Sequence, residues 1–152
     1  MTALYPYIKL IHVLLAIVAV GFNASYGIWL ARASREPAHL GHVLRGIKTL
    51  DDRFANPAYG LLLVTGLANV FIAEIPLTTP WVLGGLGLWF VLMAVGAGVY
   101  TPTLRKQIAA LEASGPDSPA YRALAARGRA VGIALAVIVI VIVFLMVVKP
   151  GG

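Results

Sequence analysis

The chain has 152 residues, of which 60% are hydrophobic and only 12% are charged, whereas soluble domains average about 25% charged residues. This composition excludes a soluble enzyme and predicts a single membrane domain over residues 1–152. The absence of cysteine excludes disulfides, iron–sulfur clusters and thiolate metal sites. The net charge of +6 does not indicate nucleic-acid binding, because the basic residues flank hydrophobic stretches, where anionic lipid and topology account for them.

The first predicted span, residues 7–30, is long enough to cross the apolar layer of a bilayer. It lacks a preceding basic segment and is longer than the apolar part of a signal peptide, so we expect it to be retained. Small and polar residues recur at steps of three or four and share one helical face. They are Lys9, His12, Ala16, Ala19, Asn23 and Tyr26. We expect other spans to pack on this face.

A polar segment, residues 32–53, separates the first span from the second. Apolar residues from Leu40 to Phe54 recur with helical period, which predicts an amphipathic lead-in that lies at the cytoplasmic interface or continues into the second span. The second span covers residues 57–73, and Pro57 begins or kinks it. The next loop, residues 74–80, is short, so the second and third spans are antiparallel neighbours.

The third span covers residues 81–101, and small residues line one of its faces from Gly84 to Gly98. We expect Gly115–Pro119 to break the following polar segment into two short helical pieces. The fourth span covers residues 130–148 and is apolar on all sides beyond Ala136. The fold class is therefore an all-α integral membrane protein: a four-transmembrane-helix bundle with an amphipathic cytoplasmic lead-in to the second helix.

Lys and Arg are distributed unevenly between the predicted loops. Ten of the twelve lie in residues 32–53 and 105–129, and the loop between the second and third spans has none. The positive-inside rule places those two segments in the cytoplasm and both termini outside. We expect a multi-pass protein of the bacterial inner (plasma) membrane.

His12 is the only histidine inside a predicted span, and depth places it near Asn69 and Met146 at the outer side. Three interpretations stay open. It is a packed histidine that bonds Asn69 or a backbone carbonyl, an axial ligand of haem b with Met146 as its partner, or a proton or metal way-station. No metal site is predicted, because the pair His39 and His42 lacks enough further ligands.

A second polar layer is predicted near the cytoplasmic side. Its residues are Asn23, Tyr26, Asp51, Asp52, Asn56, Tyr59, Thr101 and Arg129. Asp51 and Asp52 fall near the expected start of the second span, where the helix dipole favours acids. Arg53 or Arg129 is the expected partner of one acid. A clamp between helices and a catalytic role both fit this pattern.

The order of several short motifs supplies a resemblance. The motifs are Tyr7–His12, Asp52 with Asn56–Pro57, Gly60–Gly66, Pro80–Trp81 and Phe144–Pro150. Together they resemble a family of bacterial four-span proteins described only as predicted integral membrane proteins of unknown function. More distantly, the context of His12 and the closing Val-Val-Lys-Pro resemble HemJ-type protoporphyrinogen oxidases and the membrane domain of copper-resistance D proteins. In that enzyme group a first-span histidine is implicated with haem, which implies the same role for His12. A third-span lysine of that group has no counterpart in Val82–Leu88.

Three functions follow as hypotheses. The first is an accessory or assembly subunit that acts through helix–helix contacts in the lipid bilayer, as a homo-oligomer or with another membrane subunit. The second is a haem-linked membrane oxidoreductase of the HemJ-like type. The third is a small transporter or proton path that uses Asn23, Tyr26, Asp52 and Asn56. Whether the chain is an enzyme stays open.

Overall fold

The computed structural model describes residues 2–151, and these residues form helices joined by short turns. A 3₁₀ turn, Thr2–Leu4, precedes the first helix. The α-helices are α1 (Tyr5–Ala33), α2 (Pro37–Leu50), α3 (Asn56–Ile72), α4 (Pro80–Val95), α5 (Thr101–Ser114) and α6 (Pro119–Val148). No β-strand occurs within the described range. The all-α prediction is confirmed.

Two pairs of these helices are continuous. A π-helical segment, Asp51–Ala55, joins α2 to α3, and a second one, Gly96–Tyr100, joins α4 to α5. The result is four helices of 29, 36, 35 and 30 residues, each long and apolar enough to cross a membrane. The two joined helices are about 50 Å long, at 1.5 Å per residue, and exceed an apolar layer about 30 Å thick. The prediction of four spans is confirmed.

A proline follows each π segment, and it explains why the helix widens there. Asn56 precedes Pro57, and Thr101 precedes Pro102. Proline has no N–H to donate and crowds the preceding turn of an α-helix. The chain accommodates it with bonds that reach back five residues, from the Asn56 N–H to the Asp51 carbonyl and from the Thr101 N–H to the Gly96 carbonyl. Pro57 and Pro102 therefore neither begin nor end a span.

This continuity decides between two sequence predictions. The amphipathic lead-in, α2, continues directly into the second span. The expected break at Gly115–Pro119 is present, but the two helical pieces beside it are not separate short helices, because α5 extends the third span and the residues after the break belong to α6. The break between them is only a turn. Gly115 adopts φ 78°, and the Ser118 hydroxyl accepts a hydrogen bond from the Tyr121 N–H to start α6.

The helices pack as antiparallel neighbours. The strongest pairings are α1 with α3 and α4 with α6, and α5 packs on both α2 and α6. The turns at residues 34–36 and 115–118 therefore share one end of the bundle, here named the basic end. The loop at residues 73–79 lies at the opposite end, the loop end.

The buried residues form three layers along the bundle. The layer at the basic end contains Tyr26, Ala33, Leu40, Leu44, Ile47, Leu104 and Tyr121. The middle layer contains Ala19, Ala55, Ala58, Tyr59, Leu92 and Val139. The layer at the loop end contains Val70, Trp81 and Val82. Large apolar side chains such as Ile17, Ile140 and Val147 cover the outside, where acyl chains solvate them.

Candidate functional site

A buried carboxylate lies between the two π segments. Asp51, the first residue of one segment, is only 6% exposed. Its Oδ2 accepts hydrogen bonds from the Asn56 side-chain amide and from the Thr101 hydroxyl, each at 3.3 Å. The second bond links the second and third spans, because Thr101 follows the other π segment. Such irregular turns within helices occur frequently at functional sites.

Three tyrosines lie around this carboxylate. They are Tyr26 of α1, Tyr59 of α3 and Tyr100 of the third span. The Tyr59 hydroxyl accepts a hydrogen bond of 3.0 Å from the Asn23 amide, which joins α3 to α1. The Tyr26 hydroxyl is buried and has no hydrogen-bond partner among the described residues. The cluster therefore combines a carboxylate, phenols and amides from three of the four spans.

No cation neutralises Asp51 within the described chain. Among the ion pairs of residues 2–151, none includes this carboxylate. The nearest basic side chain on its own helix, Lys48, pairs with the exposed Asp52 instead. A buried carboxylate that receives only neutral donors is costly to keep ionised. The site therefore favours a bound proton, or a bound cation, at Asp51.

The expected members of the inner polar layer are only partly brought together. Besides Asp51 itself, five of them lie in or beside the Asp51 cluster, namely Asn23, Tyr26, Asn56, Tyr59 and Thr101. Asp52 and Arg129 do not join the cluster, because both are exposed on the surface of the bundle. The expected pairing of an acid with Arg53 or Arg129 is wrong, since Lys48 takes that role. The helix-dipole argument is also wrong, because a continuous helix runs through Asp51 and Asp52 and leaves no free N-terminus there.

Sequence reasoning named Asp51 but did not distinguish its position from that of Asp52. The signal was present in α2, where Leu40, Leu44 and Ile47 are buried on one face. Asp51 continues that series at a step of four, whereas Asp52 falls off the face. Tyr100 was missed, because its position depends on the π segment that ends at it.

His12 lies in a separate polar contact near the loop end. Its Nδ1 is 2.8 Å from the Thr65 hydroxyl, and that hydroxyl also donates to the Leu61 carbonyl at 2.8 Å. Either partner can donate in the His12–Thr65 contact, because the Thr65 hydroxyl and the imidazole nitrogen each act as donor or acceptor according to the tautomer of His12. Asn69, one of the expected partners, is not bonded to His12, and its side-chain oxygen is buried without a partner among the described residues. His12 faces protein, as expected.

Met146 packs elsewhere in the bundle. Its methyl group occupies the space directly over Gly85 of α4, in the layer that contains Trp81 and Val82. His12, in contrast, lies against Gly66 of α3. The two side chains thus make their contacts within different helix pairs, and this arrangement does not supply a facing pair of haem ligands. No group of three His, Asp or Glu side chains that could hold a metal ion occurs between residues 2 and 151.

Four spanning helices with a buried carboxylate between them define a multi-pass α-helical membrane protein. The chain belongs to the family described as "Predicted integral membrane protein (DUF2269)", which it matches over residues 6–150. This match confirms the resemblance to the four-span family of unknown function. No curated protein and no solved structure matches the chain. The distant likeness to HemJ-type oxidases and copper-resistance D proteins has no support among these comparisons.

Proposed function

We propose that this protein binds and releases a proton at Asp51 and acts as a small proton-coupled transporter or proton path. One observation carries the proposal: Asp51 is buried and receives hydrogen bonds only from neutral groups. An ionisable group inside a membrane bundle is retained for function more often than for stability. Asp51 replaces Asp52 as the acid of this hypothesis, because Asp52 is exposed and paired.

The surroundings of Asp51 are consistent with proton exchange. The cluster contains Tyr26 from α1, Tyr59 from α3, and Tyr100 and Thr101 from the third span. The charged groups on its own helix, Lys48 and Asp52, form an ion pair with each other. Hydroxyl groups both donate and accept protons, so tyrosine and threonine are suitable neighbours for a relay. Asp51 belongs to one π segment and bonds the residue that follows the other, and such segments are frequent at functional sites.

The orientation of the site follows from the charge distribution. We place the basic end in the cytoplasm of a bacterium and both termini outside the plasma membrane. Counted from Tyr7 at the loop end, Tyr26 lies about 28 Å along α1, which is near the cytoplasmic boundary of the apolar layer. Asp51 is therefore a proton site close to the cytoplasm, covered from that side by the buried layer that contains Leu44.

Flux measurements in liposomes test this function. The purified protein is reconstituted with a pH-sensitive dye inside, and a potassium diffusion potential drives proton entry. We expect wild type to carry protons, Asp51→Asn to lose the flux, and Asp52→Asn to retain it. The second variant is a matched control, because it removes the neighbouring carboxylate from an exposed site. Absence of flux in wild type, or full flux in Asp51→Asn, overturns the proposal.

A second candidate, the accessory or assembly subunit, is favoured by an open face on the third span. Methyl groups added at Gly87 and Gly98 would meet nothing within 4 Å, and Val91 between them is 47% exposed. Small residues allow close helix contact in membranes, so a second copy or another subunit fits this face. Ala94→Cys tests it, because the chain has no other cysteine. A disulfide-linked dimer in native membranes supports a homo-oligomer. The absence of this dimer excludes a homo-oligomer that uses this face.

The haem-linked alternative depends on His12, whose Nε2 is not engaged by Thr65. It requires a second ligand, and Met146 is held against Gly85. Absence of a Soret band after supplementation of the purified protein with haem b excludes this alternative.

A further inference from the structure

A cleft of about 370 Å³ opens at the loop end, between the loop and the ends of two helices. It lies far from the Asp51 cluster, which is near the basic end. Its lining residues are Glu74, Ile75, Pro76, Thr79, Trp81 and Lys149. The lining therefore includes one acidic, one basic and one aromatic side chain. Ile75 and Trp81 anchor the walls, because both pack into the buried layer that contains Val70.

The two opposite charges in this cleft do not neutralise one another. Within the described residues, neither Glu74 nor Lys149 takes part in an ion pair. The Lys149 ammonium instead lies 4.9 Å from the centre of the Trp81 ring, a cation–π contact that fixes its position. A group that carries both a positive and a negative charge can therefore pair with the two side chains of this cleft.

The backbone places both charged residues in an unusual conformation. Glu74 has φ 54° and Lys149 has φ 51°, and they are the non-glycine residues with positive φ in the described chain. Glu74 follows the end of α3, and Lys149 follows the end of α6, positions where glycine is the usual residue. Any residue with a Cβ costs strain there that glycine would avoid, and strain of this kind concentrates at ligand sites.

We infer that this cleft binds a phosphoethanolamine group, with its phosphate on Lys149 and its ammonium on Glu74. A bilayer lipid is the source that fits best, because exposed apolar side chains lie within three residues of the lining residues in the sequence and are available to its acyl chains. They are Phe71, Leu77, Val147 and Val148. A trimethylated choline group has no N–H to donate to Glu74, so the site distinguishes ethanolamine from choline lipids.

Native mass spectrometry of the detergent-purified protein tests this selectivity. Phosphatidylethanolamine and phosphatidylcholine with identical acyl chains are titrated separately, and the apparent Kd of the first bound lipid is compared. A charge-assisted hydrogen bond from the ammonium to Glu74 predicts roughly tenfold tighter binding of the ethanolamine lipid. Equal affinities in wild type overturn the inference, and this comparison needs no variant.

Variants then assign the two contacts. Glu74→Gln is expected to remove the preference for ethanolamine, and Lys149→Gln to weaken both lipids. Lys9→Gln is the matched control, because Lys9 also lies over an aromatic ring, that of Tyr5, on the first span. Circular dichroism confirms that each variant is folded. Retention of the preference in Glu74→Gln contradicts the assignment.

A competition experiment with soluble phosphoethanolamine distinguishes a bilayer lipid from a free metabolite as the source of the ligand. If it displaces the bound lipid at millimolar concentration, the headgroup contacts alone account for binding, and a free metabolite of this chemistry also fits. If it does not, the acyl contacts are required and the ligand is the bilayer lipid. Both results agree with the charge arrangement of the cleft, whereas displacement equally by phosphocholine contradicts it.

Discussion

The contact between His12 and Gly66 leads to a quantitative prediction for Gly66→Ala. A methyl group at this position would lie 3.1 Å from His12 Cε1 and 3.7 Å from Nδ1. Ordinary carbon–carbon contacts are about 3.5–4.0 Å, so the ring has to move by several tenths of an ångström. That movement disturbs the 2.8 Å hydrogen bond between His12 and Thr65. Gly60, in the same helix, has nothing within 4 Å of an added methyl and is the matched control.

The expected change at Gly66 is the sum of two effects, of which only the first applies at Gly60. Alanine in place of glycine within a helix stabilises by about 0.5–1 kcal/mol, and Gly60→Ala should show this gain. At Gly66 the same gain is opposed by crowding, which costs about 1–3 kcal/mol when a methyl is added to a packed site. We expect Gly66→Ala to be less stable than Gly60→Ala by about 2 kcal/mol. For a chain of this length that corresponds to a Tm difference of about 4–8 °C.

Thermal unfolding in one detergent, followed by circular dichroism, measures the difference. The origin of the effect is tested in a His12→Ala background, where the ring is gone and Gly66→Ala should become as favourable as Gly60→Ala. Equal Tm values for the two glycine variants in the wild-type background would refute the close contact. A penalty that persists without His12 would assign the crowding to another neighbour.

Three further predictions concern packing, capping and topology. Gly85→Ala should be tolerated better than Gly66→Ala, with a smaller change in Tm, since the added methyl displaces only the terminal methyl of the flexible Met146 side chain; a larger loss of Tm at Gly85 than at Gly66 would contradict this. Ser118→Ala should cost about 1 kcal/mol in chemical unfolding, because it removes the hydroxyl that caps the last helix; an unchanged unfolding midpoint would contradict this role. For topology, Thr78→Cys should react with an impermeant maleimide from outside intact cells and Ser114→Cys only after lysis, and the reverse result would invert the proposed orientation.

The four spans could be predicted from the sequence because the free energy of transferring a segment from water into lipid depends on that segment's own residues and not on its neighbours in the fold. Residues 7–30 and 130–148 are apolar over a length that only a membrane or a large core can bury. The placement of small and polar residues on one face of the first span is likewise a local property of the helix. This face pattern correctly predicted that His12 faces protein, since the His12 Nδ1 bonds Thr65.

The partners of those polar residues depended on the tertiary structure. The sequence suggested that a helix begins at Asn56–Pro57, and this placed Asp51 and Asp52 together at its start. In the structure a π segment carries the helix through Pro57, and the consecutive residues Asp51 and Asp52 point to different sides of that continuous helix. Asp51 faces the bundle and Asp52 faces Lys48. Local composition fixes which segments enter the membrane, but the inward side of each helix is set by contacts between segments distant in the sequence.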